Sequence, residues 1–90
     1  MINVKTRSGF EFQLDESITH SISFYEYMVM SESEEPMEKL KGTINLVKMI
    51  FGDKYEALKK HVIDKYGSDS IEYITQELVD VIEASNDAKK

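Results

Sequence analysis

The stretch "FGDKYEALKKHV", residues 51–62, decides how this chain is built. Before it, Met37, Leu40, Ile44, Val47 and Phe51 recur at steps of three and four, with Leu46 and Ile50 widening the stripe. That spacing is one apolar face of a helix over residues 36–51, with Pro36 in its first turn. After it, Tyr55, Leu58, Val62 and Tyr66 mark the apolar side of a second helix. Gly52 suits a residue of positive φ that closes the first helix. Asp53 is placed to cap the second, and Glu56 three residues on completes a capping-box pattern. The expected joint is a stop followed at once by a start. Gly42, inside the first of these helices, is expected to be tolerable at a cost of about 1 kcal/mol relative to alanine.

Downstream, Gly67 ends the second helix, and Asp69 with Glu72 repeats the capping pattern. Ile71, Ile74, Leu78, Val81 and Ile82 mark a last helix. The final stretch "SNDAKK" is expected to fray, with residues 87–90 as a loose tail.

Upstream, residues 2–14 alternate. Ile2, Val4 and Thr6 share one parity, Phe10, Phe12 and Leu14 do likewise, and Arg7-Ser8-Gly9 is a turn signal between them. A hairpin over residues 1–15 with one apolar face follows. A two-stranded hairpin is marginal in water, so that face should pack on the helices. Residues 20–33 read less cleanly. Ser21 or Thr19 can cap a helix beginning near Ile22. A period-2 reading through Ile22, Phe24, Met28 and Met30 competes with it. The expected architecture is mainly α, with a hairpin and then three to four packed helices over residues 20–86; a small α+β domain is the neighbouring class.

Bulk properties narrow the function. Ninety residues form one small domain with a modest core, burying roughly 60–65% of the unfolded surface. The net charge is −6, from 17 acidic and 11 basic residues. Such a balance repels a phosphate backbone and an anionic membrane surface. The chain has no cysteine, which removes disulfides, zinc–thiolate sites and thiol nucleophiles together. No apolar run reaches the roughly 18 residues of a membrane span, and the N-terminal stretch has no signal-peptide core. An intracellular, soluble protein is the expectation.

Chemistry-bearing patterns are sparse. The two histidines, His20 and His61, have no second ligand at metal spacing. Glu32, Glu34 and Glu35 lack the Asp/Asn/Gly spacing of a calcium loop and read as a solvated run near a helix start. Ser70 and His61 pair on paper with an aspartate, but no nucleophile turn or oxyanion loop accompanies them. A helix-turn-helix reader would set Lys54, Lys59 and Lys60 in a groove; Glu56 and Asp64 on the same helix oppose that. No catalytic, cofactor or metal residue is assigned. "GSDSIE", residues 67–72, is similar to the Asp-Ser-Leu site of acyl carrier proteins, whose serine opens a helix and carries phosphopantetheine. Only 20 residues follow Ser70, where carrier proteins have further helices.

The order of three segments carries a broader resemblance: "GFEFQLDES", the aromatic-rich "SFYEYMVMSES", and "LKGTINLVKMIFGDKYEALKKHVIDKYGSDSIEYITQELVDVIEA". In the last, an apolar helix end is followed by Gly-(Asp/Glu)-x-Tyr-x-x-Leu-Lys-x-His, here Phe51, Gly52, Asp53, Tyr55, Leu58, Lys59 and His61. Over nearly its whole length the chain resembles the tail assembly chaperones of phages and prophages with long, non-contractile (siphovirus-type) tails. The segment before Pro36 is richer in Met and Tyr than that pattern. The resemblance implies a non-enzymatic protein of the host bacterium's cytoplasm, absent from the finished virion. It implies binding to the tape measure protein, which such chaperones keep soluble until tube subunits polymerise. It leaves open contact with the tube protein, association with further copies of the chain, and a longer frameshifted product. Ile22, Phe24, Tyr25, Tyr27, Met28, Val29 and Met30 crowd into nine residues and exceed what one helix face can bury. Phe24, Tyr25, Tyr27, Met28 and Met30 are the candidate partner contacts, because Tyr tolerates partial exposure and Met adapts to irregular apolar surfaces. Another acidic interaction module, an antitoxin or regulator, is the alternative, with a carrier modified at Ser70 behind it.

Overall fold

The alternation of residues 2–14 is realised as an antiparallel hairpin in the computed structural model, which describes residues 1–88. Strand β1 (Ile2–Lys5) pairs with β2 (Glu11–Leu14) in the register Ile2↔Leu14, Val4↔Phe12. Thr6 and Gly9 close the turn through the Gly9 N–H and Thr6 carbonyl at 2.9 Å. Gly9, at φ 94°, supplies the positive φ this turn requires. The period of two puts Val4, Phe12 and Leu14 on one buried face. The same parity carries inward past the strand, so Thr6 and Ser8 are buried as well.

A 3₁₀ segment, Glu16–His20, follows the hairpin. Asp15 caps it by accepting from the backbone N–H and hydroxyl of Ser17. Ser21 then caps helix α1 (Ile22–Ser31), its hydroxyl accepting from the Phe24 N–H at 3.1 Å. The helical reading of residues 22–31 therefore holds over the extended one, and Ser21 is the cap. Thr19 instead donates back to the Glu16 carbonyl. Helix α2 (Pro36–Phe51) starts at Pro36, α3 spans Tyr55–Tyr66 and α4 spans Ile71–Ala88. Helix α4 runs on to Ala88; of the tail expected to fray, Lys89 and Lys90 lie outside the described residues.

One core joins the elements. Val4, Phe12 and Leu14 of the hairpin, with Phe10 at its turn, meet Leu46, Val47, Ile50 and Phe51 of α2, Leu58 and Val62 of α3, and Ile74, Leu78 and Val81 of α4. Phe10, Phe12 and Phe51 form an aromatic cluster with centroid separations of 4.8–5.9 Å. The hairpin's apolar face is thus covered by the helices, which removes the marginal stability of an isolated ribbon. The fold is a small α+β domain, predominantly helical.

Helices α1 and α2 form the most extensive helix–helix contact and meet at Gly42. A Cβ at Gly42 would lie 2.5 Å from the Ser31 nitrogen and 2.7 Å from the Met30 Cβ. Gly42 is therefore a close-approach position between two backbones, not merely a tolerated weak point in a helix.

Candidate functional site

The Gly52-Asp53 joint is present but is built differently from the capping box expected of it. Gly52 has φ 52° and ψ −124°, a region that glycine enters freely and residues with a Cβ avoid. Residues Gly52–Lys54 form a 3₁₀ turn, in which the Tyr55 N–H donates to the Gly52 carbonyl. The residue before α3, Lys54, already has helical dihedrals, and no side chain caps that helix. An N-cap needs an extended residue, so Asp53 cannot take that role here. Glu56 pairs forward with Lys59 at 3.1 Å, not back toward Asp53. That carboxylate, hydrogen-bonded to the Lys59 ammonium, pushes the lysine's pKa up. Gly67 is left-handed as expected (φ 86°), its N–H donating to the Ile63 carbonyl. At the next helix start, the Ser70 carbonyl accepts from the Tyr73 and Ile74 N–H groups, so Ser70 rather than Asp69 opens α4. Ser70 is half-buried there.

A buried polar cluster ties the hairpin turn to α3 and α4. Glu77, 2% exposed, lies on the same side of α4 as Ile74, Leu78 and Val81. Its Oε1 accepts from the Ser8 hydroxyl at 2.6 Å and the Thr6 hydroxyl at 2.9 Å. Asp80, one turn on, accepts from the Arg7 N–H at 2.9 Å and from the Gln76 side-chain amide at 3.0 Å. The Arg7 guanidinium reaches Asp80 at 3.6 Å and Glu83 at 2.9 Å. His61 completes the group, with Nε2 3.0 Å from Ser8 Oγ. A hydroxyl has one proton to give. Ser8 gives it to Glu77, which leaves Ser8 Oγ as an acceptor for an N–H of His61. The arrangement is a lock between two segments 69–76 residues apart in the chain. It brings His61 to Ser8, not to the Ser70 with which the sequence paired it on paper. Among the described residues, no group of three His, Cys, Asp or Glu side chains is placed to hold a metal ion.

The lock escaped the sequence reading, although two signals pointed to it. Thr6 and Ser8 continue the inward parity of Ile2 and Val4, and Glu77 sits in register with the apolar stripe of α4. A polar residue on an apolar stripe, matched by polar residues on a second one, is the pattern of a buried network.

Helix α1 sorts the seven crowded apolar residues onto two faces. Phe24, 4% exposed, is core, which corrects its expected role as a partner contact. Tyr27 and Met28 are half-buried against that core, and Met30 is half-buried beside Gly42. The outward stripe is Ile22, Tyr25 and Val29, exposed by 74%, 49% and 71%. These three fall at steps of three and four, roughly 140° around the helix from Phe24. Of the expected contacts, Tyr25 is the one on this stripe. Tyr25 also helps line a cavity of about 230 Å³ between α1, α2 and α4, with Phe24, Met28, Ile50, Val81 and Ile82.

The fold and these surfaces describe a small, mainly helical domain with a locked core and an outward apolar stripe on α1; on α2, Met37, Leu40 and Ile44 are exposed as well, by 71%, 38% and 37%. No protein-family model, no curated protein and no solved structure matches the chain. Among the described residues, no helix is long and apolar enough to cross a membrane.

Proposed function

We propose that this protein is a non-enzymatic tail assembly chaperone of a siphovirus-type phage or prophage. In this reading it binds the tape measure protein in the host cytoplasm and keeps it soluble before the tail tube polymerises. The observation that carries the reading is the outward stripe of α1: Ile22 and Val29 stand in solvent, Tyr25 is half exposed between them, and none of the three belongs to the buried core. A helix with two apolar faces, one of them unpartnered, is suited to holding a helical client. The resemblance of residue order and spacing over nearly the whole chain supplies the client's identity.

The test is co-expression with the tape measure protein encoded beside the tail-tube gene. The reading expects soluble tape measure protein that co-purifies with this chain, and aggregated tape measure protein without it. Solubility that does not depend on this chain would overturn it.

A further inference from the structure

We infer that the α1 surface takes a cationic amphipathic helix, and not a second copy of this chain. The inference rests on the functional reading for the partner's identity and on the surface itself for its chemistry. Residues 8–38 contain eight acidic residues and no Lys or Arg. Helix α1 lies inside that segment. Its outward stripe is flanked on one side by Glu26 and on the other by Glu32, both exposed, and Glu34 and Glu35 follow in the turn before α2. The first cations after this segment, Lys39 and Lys41, stand on α2.

Two copies joined through this face would set carboxylates against carboxylates around a small apolar contact, which is unfavourable. A helix with an apolar stripe edged by Lys or Arg meets the same surface with complementary charge along both flanks. The cavity beside Tyr25 gives such a helix a seat for one large apolar side chain, the usual form of an interface anchor.

The probe is a fluorescein-labelled amphipathic helix of leucine and lysine, titrated with this protein and read by anisotropy. The control is the same helix with glutamate in place of lysine. Two double variants of the protein accompany it: Ile22→Ser with Val29→Ser, and Glu26→Lys with Glu32→Lys. All four positions are exposed, and circular dichroism checks that each variant folds. The lysine helix should bind, and the glutamate helix should not. Each double variant should weaken binding at least about tenfold, and about 0.5 M salt should weaken it further. Three results would overturn the inference: no binding of the lysine helix, equal binding of both helices, or binding indifferent to Ile22→Ser with Val29→Ser. So would a wild-type dimer that this same double variant dissociates, since the stripe would then belong to a second copy. Co-expression with the tape measure protein separates the two readings. Binding of the lysine helix without rescue of the tape measure protein overturns the functional reading alone. Rescue that survives both double variants overturns this inference alone.

Discussion

The Ser8 hydroxyl donates to Glu77 Oε1 at 2.6 Å, across 69 residues of chain. This bond joins the hairpin turn to the middle of α4 and buries a carboxylate whose partners are Thr6 and Ser8, with His61 behind Ser8. A buried carboxylate deprived of a donor retains its desolvation cost.

Ser8→Ala should therefore destabilise the fold by about 1–3 kcal/mol, measured by urea unfolding. In a domain of this size each kcal/mol corresponds to a drop in Tm of about 4–8 °C. The double variant Ser8→Ala with Glu77→Gln should cost less than the sum of the single changes, because the two residues share the bond. Strict additivity would show that they are not energetically coupled.

Gly42→Ala should lower stability, by about 1–3 kcal/mol, because the new Cβ would meet the α1 backbone at Ser31. Helix propensity alone predicts the opposite sign, a gain of about 1 kcal/mol. The sign of the change in urea midpoint decides between them.

At the joint, Gly52→Val should cost about 1–2 kcal/mol, since φ is 52° there. Asp53→Ala should stay within about 0.5 kcal/mol, because Asp53 is exposed and does not cap α3. A loss near 1 kcal/mol at Asp53 would restore the capping role that the sequence suggests.

Helix α1 should separate by face. Phe24→Ala should cost about 3–5 kcal/mol as a core truncation. Ile22→Ser and Val29→Ser should each leave thermal melting nearly unchanged and, under the function proposed above, should reduce co-purification of the tape measure protein. Unfolding of either serine variant would place the stripe in the core.

Asp15 accepts from the hydroxyl and backbone N–H of Ser17, and these bonds hold its carboxyl below the ordinary aspartate range. A carboxyl whose pKa is depressed by folding adds stability above its unfolded pKa, and that share is lost as pH falls through the folded value. An NMR titration should find Asp15 below about 3.9, and Ser17→Ala should return it toward that value.

Much of this fold is written locally. The steps of three and four through Leu40, Ile44, Val47 and Phe51 set out α2, and the alternation around Gly9 set out the hairpin. Ser21, Pro36 and Gly67 marked helix ends because capping and positive φ depend on a residue and its near neighbours. Other features depended on what each residue meets across space. A helical pattern cannot say which of two apolar faces on α1 will find a core, so Phe24 and Tyr25 read alike until the helix was docked. Gly42 became a crossing point only when α1 was laid against it. Asp53 lost its cap because packing of Phe51 into the core leaves a 3₁₀ turn with no extended residue before α3. Ser8, His61 and Glu77 are unremarkable as letters; long-range closure of the chain makes them one hydrogen-bonded group, because a buried carboxylate is stable only where the tertiary structure brings donors to it.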